Sequence, residues 1–181
     1  MGDSLSAAYK IAIEQSWPAL LQGKLGNSGF EDKIVNASIS GETTVGGLER
    51  LPALLQQHRP RIMVLELGGN DGLRGYPFAT TSANLARMIE LAQQSGATVL
   101  LLGVRMPPNL GPVYNQRFQA MYRDLAERYQ VAFIARFLEG VAGSDPRLMQ
   151  SDGIHPTALA QPILAKRVYE RLRPMLEALA G

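Results

Sequence analysis

Ile62-Met63-Val64-Leu65-Glu66-Leu67, followed at once by Gly68-Gly69-Asn70-Asp71-Gly72, is the stretch on which the reading of the fold turns. Residues 62–67 read as an apolar run of the kind a strand covered on both faces of a parallel sheet presents, and the glycines then stop it. A second apolar run spans residues 98–104. Shorter ones fall at 131–134 and, with β-branched residues, at 33–37.

Between these runs the spacing turns helical. Trp17, Leu20, Leu21 and Leu25 predict a helix over 16–25 that ends in Gly26-Asn27-Ser28-Gly29. Leu48, Leu51, Leu54 and Leu55 predict one over 45–57, stopping before Pro60. Leu85, Met88, Ile89 and Ala92 mark 80–95, and Tyr114, Phe118, Met121, Tyr122 and Leu125 mark 114–129. A closing helix is predicted over 157–179, kinked at Pro174. Strand alternating with helix predicts an α/β fold with a mainly parallel sheet covered on both faces. Ligands in such folds bind beyond the carboxyl ends of the strands. The loops at those ends are 38–43, 68–75, 105–113 and the segment leading into Asp152, each pairing Gly or Pro with polar groups.

Composition narrows the classes. A chain of 181 residues that is 46% hydrophobic can bury its core as one domain over 1–181. The net charge is only +2. The mild basic cluster of Lys166, Arg167, Arg171 and Arg173 reads as a solvated helix face, so no nucleic-acid partner is expected. The absence of cysteine excludes disulfides, iron–sulfur clusters and thiolate zinc sites, and leaves the compartment open. No apolar run approaches the roughly 20 residues of a membrane span and the sequence shows no signal peptide, so stable membrane insertion is not expected. Two histidines far apart predict no metal site. Neither phosphate-cradling glycine pattern occurs, and no cofactor is expected.

The residues suited to chemistry lie at the two ends of the chain. In Met149-Gln150-Ser151-Asp152-Gly153-Ile154-His155-Pro156, the aspartate precedes the histidine by three positions. A carboxylate so placed can hold one imidazole nitrogen and leave the other free to take a proton from a hydroxyl. Ser4, in Gly2-Asp3-Ser4, is the hydroxyl proposed. Spacing alone equally fits an Asp-Gly turn capping the last helix with His155 exposed, and Gly-Asp-Ser equally fits a turn. No G-x-S-x-G is present, which excludes the strained elbow of the α/β-hydrolases. Asn70 can aim its amide at a developing negative charge, or it can be part of a plain turn. Gly41, just before a helix, can offer its N–H to an anion, or can simply belong to a Ser/Thr-rich cap. His58 reads as a helix-terminal histidine.

Four blocks in order, Gly2-Asp3-Ser4-Leu5-Ser6, Asn36-Ala37-Ser38-Ile39-Ser40-Gly41, Gly68-Gly69-Asn70-Asp71-Gly72 and Asp152-Gly153-Ile154-His155-Pro156, resemble the GDSL or SGNH hydrolases. Leu51-Pro52-Ala53-Leu54-Leu55 and the continuation Leu73-Arg74-Gly75 look like the bacterial thioesterase I, arylesterase and lysophospholipase branch. The resemblance spans nearly the whole chain. It implies a flavodoxin-like three-layer α/β/α sandwich of about five mainly parallel strands. It implies Ser4 as nucleophile, His155 as general base and Asp152 as its orienting partner. The Ser4 N–H, the Gly41 N–H and the Asn70 amide would form the oxyanion hole. Small-molecule acyl esters, thioesters or lysophospholipids are the implied substrates, with a periplasmic or secreted location and a monomeric chain. The apolar residues Leu73, Tyr76, Pro108 and Leu110 on two rim loops are expected to line the acyl groove.

In that family the Gly-Asp-Ser block follows an apolar first strand. Here only Met1 precedes it, so the first strand is expected to be missing, at a cost in stability. Two alternatives stand beside this reading: a carbohydrate O-acetylesterase, and a non-catalytic flavodoxin-like binding module. A catalytically inert family member is a third.

Overall fold

The computed structural model describes residues 1–180. Its sheet contains β1 (Ile62–Leu65), β2 (Thr98–Leu102) and β3 (Ala132–Ile134), all parallel, in that spatial order. Ile62 lies opposite Thr98, and Leu100 opposite Ala132. Because side chains alternate across a strand, Met63, Leu65, Val99 and Leu101 enter one core, while Ile62, Val64, Leu100 and Leu102 enter the other. β2 has partners on both sides, and its last three leucines are wholly buried. Burying each is worth on the order of 2 kcal/mol.

Among the described residues there are six α-helices: α1 (Trp17–Asn27), α2 (Thr44–His58), α3 (Gly69–Leu73), α4 (Phe78–Gln94), α5 (Pro112–Tyr129) and α6 (Gln161–Ala180). Leu51 and Leu55 of α2, Leu85 and Ile89 of α4, and Phe118 and Leu125 of α5 close the first face. Trp17, Leu21 and Leu25 of α1, with Leu164, Val168 and Leu172 of α6, close the second. This is the three-layer α/β/α arrangement expected from the alternation of strand and helix.

Three features depart from the sequence reading. The sheet has three strands among the described residues, where about five were expected. Residues 33–37 form no strand. β-branched residues favour strands only where a ladder partner is in reach. Here the Ile34 N–H donates to the Gln22 side chain at 2.6 Å, and a cavity of about 230 Å3 separates the segment from the edge of β1. That edge is met instead by the chain start. The Met1 amine donates to the Val64 carbonyl at 3.1 Å, the Glu66 N–H donates to the Met1 carbonyl at 2.9 Å, and Gly2 forms a parallel bridge with Glu66.

Secondly, the glycine stretch after β1 does not simply end the order. Gly68, at φ 109°, turns the chain, and Gly69 to Leu73 wind into α3 with the Gly72 N–H bonded to the Gly68 carbonyl at 3.0 Å. Thirdly, α6 starts at Gln161 after a 3-10 turn at Ala158–Ala160, and helix continues on both sides of Pro174.

Candidate active site

The carboxyl ends of β1 and β2 open onto one rim, where α3 and the loop before α2 meet the chain start, and Met106 of the loop from Arg105 to Gly111 packs beside Gly72 of α3. Ser4 arrives there because Gly2 is locked against β1. A Cβ at residue 2 would stand 2.9 Å from both Glu66 Oε2 and Ser6 Oγ, and 3.0 Å from Ser38 Oγ, so a larger residue would have to displace these polar groups. Asp3 then fixes the turn: its carbonyl accepts the Ser6 and Ala7 N–H groups at 3.2 and 3.0 Å, and its Oδ1 accepts the Leu5 N–H at 2.9 Å.

His155 reaches the same point from a closed loop near the other end of the chain. The Gln150 N–H donates to the His155 carbonyl and the Thr157 N–H to the Leu148 carbonyl, each at 2.8 Å. Gly153, at φ 68°, makes the turn between them. Asp152 braces the turn from within, since its Oδ1 accepts the Ile154 and His155 N–H groups at 2.9 and 3.0 Å. Its Oδ2 lies 2.8 Å from His155 Nδ1, and His155 Nε2 lies 2.7 Å from Ser4 Oγ. Partial burial works to raise the Asp152 pKa, but the two backbone N–H groups and the imidazole outweigh it and hold the carboxyl down at about 2. Asp152 is therefore an anion throughout the neutral range and favours a proton on the adjacent Nδ1. Nε2 is then the basic nitrogen, facing the serine hydroxyl.

Two backbone donors lie on the segments that Asn70 joins. Among the described residues, neither the Ser4 nor the Gly41 N–H donates to a protein acceptor. Gly41 sits in a left-handed turn at φ 80°, with the Arg74 guanidinium donating to its carbonyl at 3.2 Å. The Asn70 amide lies between these two segments. Its Nδ2 donates to Asp3 Oδ2 at 3.1 Å and to the Glu42 carbonyl at 2.9 Å, one residue from Ser4 and one from Gly41 respectively. Asp71, on the next position of α3, accepts the Thr44 N–H at 2.9 Å and so ties the start of α2 to this rim.

The structure thus brings Ser4, Asp152 and His155 into one hydrogen-bonded chain, with Gly41 and Asn70 alongside. The four apolar rim residues are placed as follows. Leu73 ends α3 and Tyr76 follows it, while Pro108 and Leu110 lie on the 3-10 turn Pro108–Leu110. All four are exposed. The two loops are pinned together by Tyr114, whose hydroxyl donates to the Gly72 carbonyl at 2.8 Å and whose ring packs 4.9 Å from that of Phe78.

Sequence reasoning passed over three residues that shape this site. Glu66 lies inside a run read as apolar, yet its carboxylate is buried; Oε2 accepts the Ser6 hydroxyl at 2.8 Å and the Asp3 N–H at 3.3 Å, while Oε1 has no partner among the described residues. A charge in the middle of a strand was the available signal. Burial and the Asp3 charge push the Glu66 carboxyl well above the usual range, and burial raises Asp3 to about 6 against the bonds it accepts. Tyr9 and Gln150, which join the serine and histidine segments, carried no signal in local sequence.

Comparison with known proteins gives the family of the chain. A family model described as the GDSL-like Lipase/Acylhydrolase family matches residues 1–161. The chain is 49% identical over 176 residues to Esterase TesA of Pseudomonas aeruginosa, covering 97% of this chain and 87% of that protein. It is 44% identical over 176 residues to Thioesterase 1/protease 1/lysophospholipase L1 of Escherichia coli K12, covering 97% and 83%. The crystal structure of a psychrotrophic esterase EstA from Pseudoalteromonas sp., inhibited by monoethylphosphonate, superposes with a TM-score of 0.92 at 38% identity, over 98% of this chain and 96% of that one.

Proposed function

This chain belongs to the GDSL-like lipase/acylhydrolase family and is a serine hydrolase of carboxylic esters and thioesters; we propose that Ser4, His155 and Asp152 carry its chemistry through an acyl-enzyme. The observation that supports this most is the continuous line from Asp152 Oδ2 through the imidazole to Ser4 Oγ, with bonds of 2.8 and 2.7 Å.

In this reading Ser4 Oγ attacks the acyl carbonyl as His155 Nε2 takes its proton. Asp152 holds the imidazole in the productive tautomer and stabilises the imidazolium. The negative charge that forms on the carbonyl oxygen is met by the N–H groups of Ser4 and Gly41 and by the Asn70 amide. The tetrahedral adduct collapses, the C–O or C–S bond breaks, and the leaving alkoxide or thiolate takes the proton from His155. Water, deprotonated by the same nitrogen, then attacks the ester on Ser4; the acyl–Oγ bond breaks, Ser4 Oγ takes the proton back from His155, and the acid is released. Leu73, Tyr76, Pro108 and Leu110 form the apolar wall for the acyl chain.

Titration with a fluorescent or biotinylated organophosphonate, followed by mass mapping of the adduct, tests the assignment. One phosphonyl group per chain on Ser4 is expected, with activity lost in proportion. An adduct on any other residue would remove Ser4 as the nucleophile.

A further inference from the structure

Ser4 and His155 are separated by 151 positions, yet their side chains meet at 2.7 Å, and Tyr9 and Gln150 join the segments that carry them. The Tyr9 ring lies against the His155 imidazole, with centroids 4.2 Å apart and planes tilted by 35°. The Tyr9 carbonyl accepts a 2.9 Å hydrogen bond from Gln150 Nε2, and the same amide donates to the Pro156 carbonyl at 3.1 Å. Gln150 thus clamps the serine turn to the loop that carries His155, and Tyr9 fills the space between clamp and imidazole.

The backbone around Tyr9 is unusual. Ala8 and Lys10, the residues on either side, both adopt left-handed conformations, at φ 58° and 55°. L-residues with a Cβ avoid this region, and two within three positions persist only where surrounding contacts hold them. Here the strain turns the Tyr9 side chain back onto the imidazole.

From these contacts we infer that Tyr9 is a positioning residue for His155, holding the imidazole in line with Ser4 and presenting an aromatic face to the cation that forms when His155 accepts the serine proton. The inference rests on the triad assignment above. A tyrosine face carries negative electrostatic potential and attracts a cation placed over it. The interaction strengthens only when the imidazole becomes charged, so it acts on the transition state more than on bound substrate. The charged groups around the pair are Asp152, bonded to Nδ1, Asp3, whose carboxyl feels the His155 charge, and Lys10, whose ammonium stands 5.1 Å from the Tyr9 ring centroid.

The test compares Tyr9→Phe with Tyr9→Leu, using a nitrophenyl ester and counting active sites by organophosphonate burst so that rates refer to folded enzyme. Tyr9→Phe keeps the aromatic face and is expected to stay within about two-fold of the parent kcat. Tyr9→Leu has similar bulk without the ring, and should lower kcat by about ten-fold with KM within about two-fold, since a face-on cation contact is of that order. Gln150→Ala, which leaves the ring but frees the Tyr9 carbonyl, should lower kcat in the same direction and serves if Tyr9→Leu does not fold. The inference is overturned if Tyr9→Leu turns over at the parent rate, or if Tyr9→Phe falls as far as Tyr9→Leu. Ser4→Ala, assayed in parallel, separates the two claims. If Ser4→Ala is inactive while Tyr9→Leu is unaffected, only the role of Tyr9 fails; residual full activity in Ser4→Ala removes the triad assignment itself.

Discussion

The Asn70 side-chain amide donates to the Asp3 carboxylate at 3.1 Å, immediately before the serine, while its second hydrogen is spent on the Glu42 carbonyl at 2.9 Å. The amide is therefore fixed in place before any substrate arrives. A donor that needs no reorientation during the reaction stabilises charge at little reorganisation cost. An oxyanion forming beside Ser4 would share the hydrogen that faces Asp3.

Asn70→Ala removes that donor and leaves the backbone N–H groups of Ser4 and Gly41. Turnover should fall by about 10²–10³-fold, with KM within a few-fold of the parent. Steady-state kinetics on a nitrophenyl ester decides the matter, and a near-normal kcat would exclude Asn70 from the oxyanion site.

Asp152→Asn keeps the shape of the loop but loses the anion that orients His155. The amide can present its nitrogen to Nδ1 and favour the wrong tautomer, so kcat should drop by about 10²–10⁴-fold. The melting temperature should fall only slightly, because the Asn oxygen can still accept the Ile154 and His155 N–H groups. Equal losses in active-site count and in kcat would instead indicate a collapsed loop.

Stability should vary with pH through Asp3 and Asp152 in opposite senses. Asp3 is raised to about 6 in the fold, so between about pH 4 and 6 the folded chain holds a proton that the unfolded chain releases, and stability falls as pH rises through that window. Glu66, raised further by burial and by Asp3, extends the same trend upward. Asp152 is depressed to about 2, so its contribution is present above about pH 4 and is lost as pH falls towards 2. The buried Met1 amine, held down to about 6 chiefly by desolvation, favours the fold as pH rises from about 6 to 8, against the Glu66 trend. The informative quantity is therefore the difference between Asp3→Asn and the parent. From pH 4 to 7 the melting temperature of Asp3→Asn should decline less steeply than the parent's. Parallel curves would show that Asp3 does not titrate in this range.

Leu73→Ser and Leu110→Ser alter exposed rim positions that carry no core packing. Both variants should keep acetyl-ester turnover within about two-fold of the parent and lose preference for medium-chain esters. Each buried methylene of an acyl chain is worth about 0.8 kcal/mol, so a four-carbon difference is ample to detect. An unchanged chain-length profile in both would place the acyl groove elsewhere.

Much of this architecture was written in short-range pattern. The apolar runs at β1 and β2, and the helical spacing of residues such as Leu85, Met88 and Ile89, respond to burial on one or two faces, which is a periodic demand that a sequence displays directly. Asp152 and His155 were legible for a similar reason, since three positions across a glycine turn suffice to bring a carboxylate to an imidazole. The resemblance of four ordered blocks to a hydrolase family supplied Ser4, Gly41 and Asn70, which local spacing left open.

The remainder depended on which segments meet in space. Residues 33–37 have strand-like composition, but a strand exists only where a neighbour offers ladder partners, and there a cavity intervenes. Glu66 sits in a run read as apolar because composition cannot tell whether a carboxylate will find the Ser6 hydroxyl and the Asp3 N–H inside the core. The Gln150 clamp and the stacking of Tyr9 on His155 join residues more than 140 positions apart. Periodicity and turn chemistry are local, and so the sequence by itself determined the elements and the Asp152–His155 turn. The meeting of that turn with Ser4 is a long-range packing outcome, decided only when Gly2 closed onto Glu66 and Gln150 tied the two ends of the chain together.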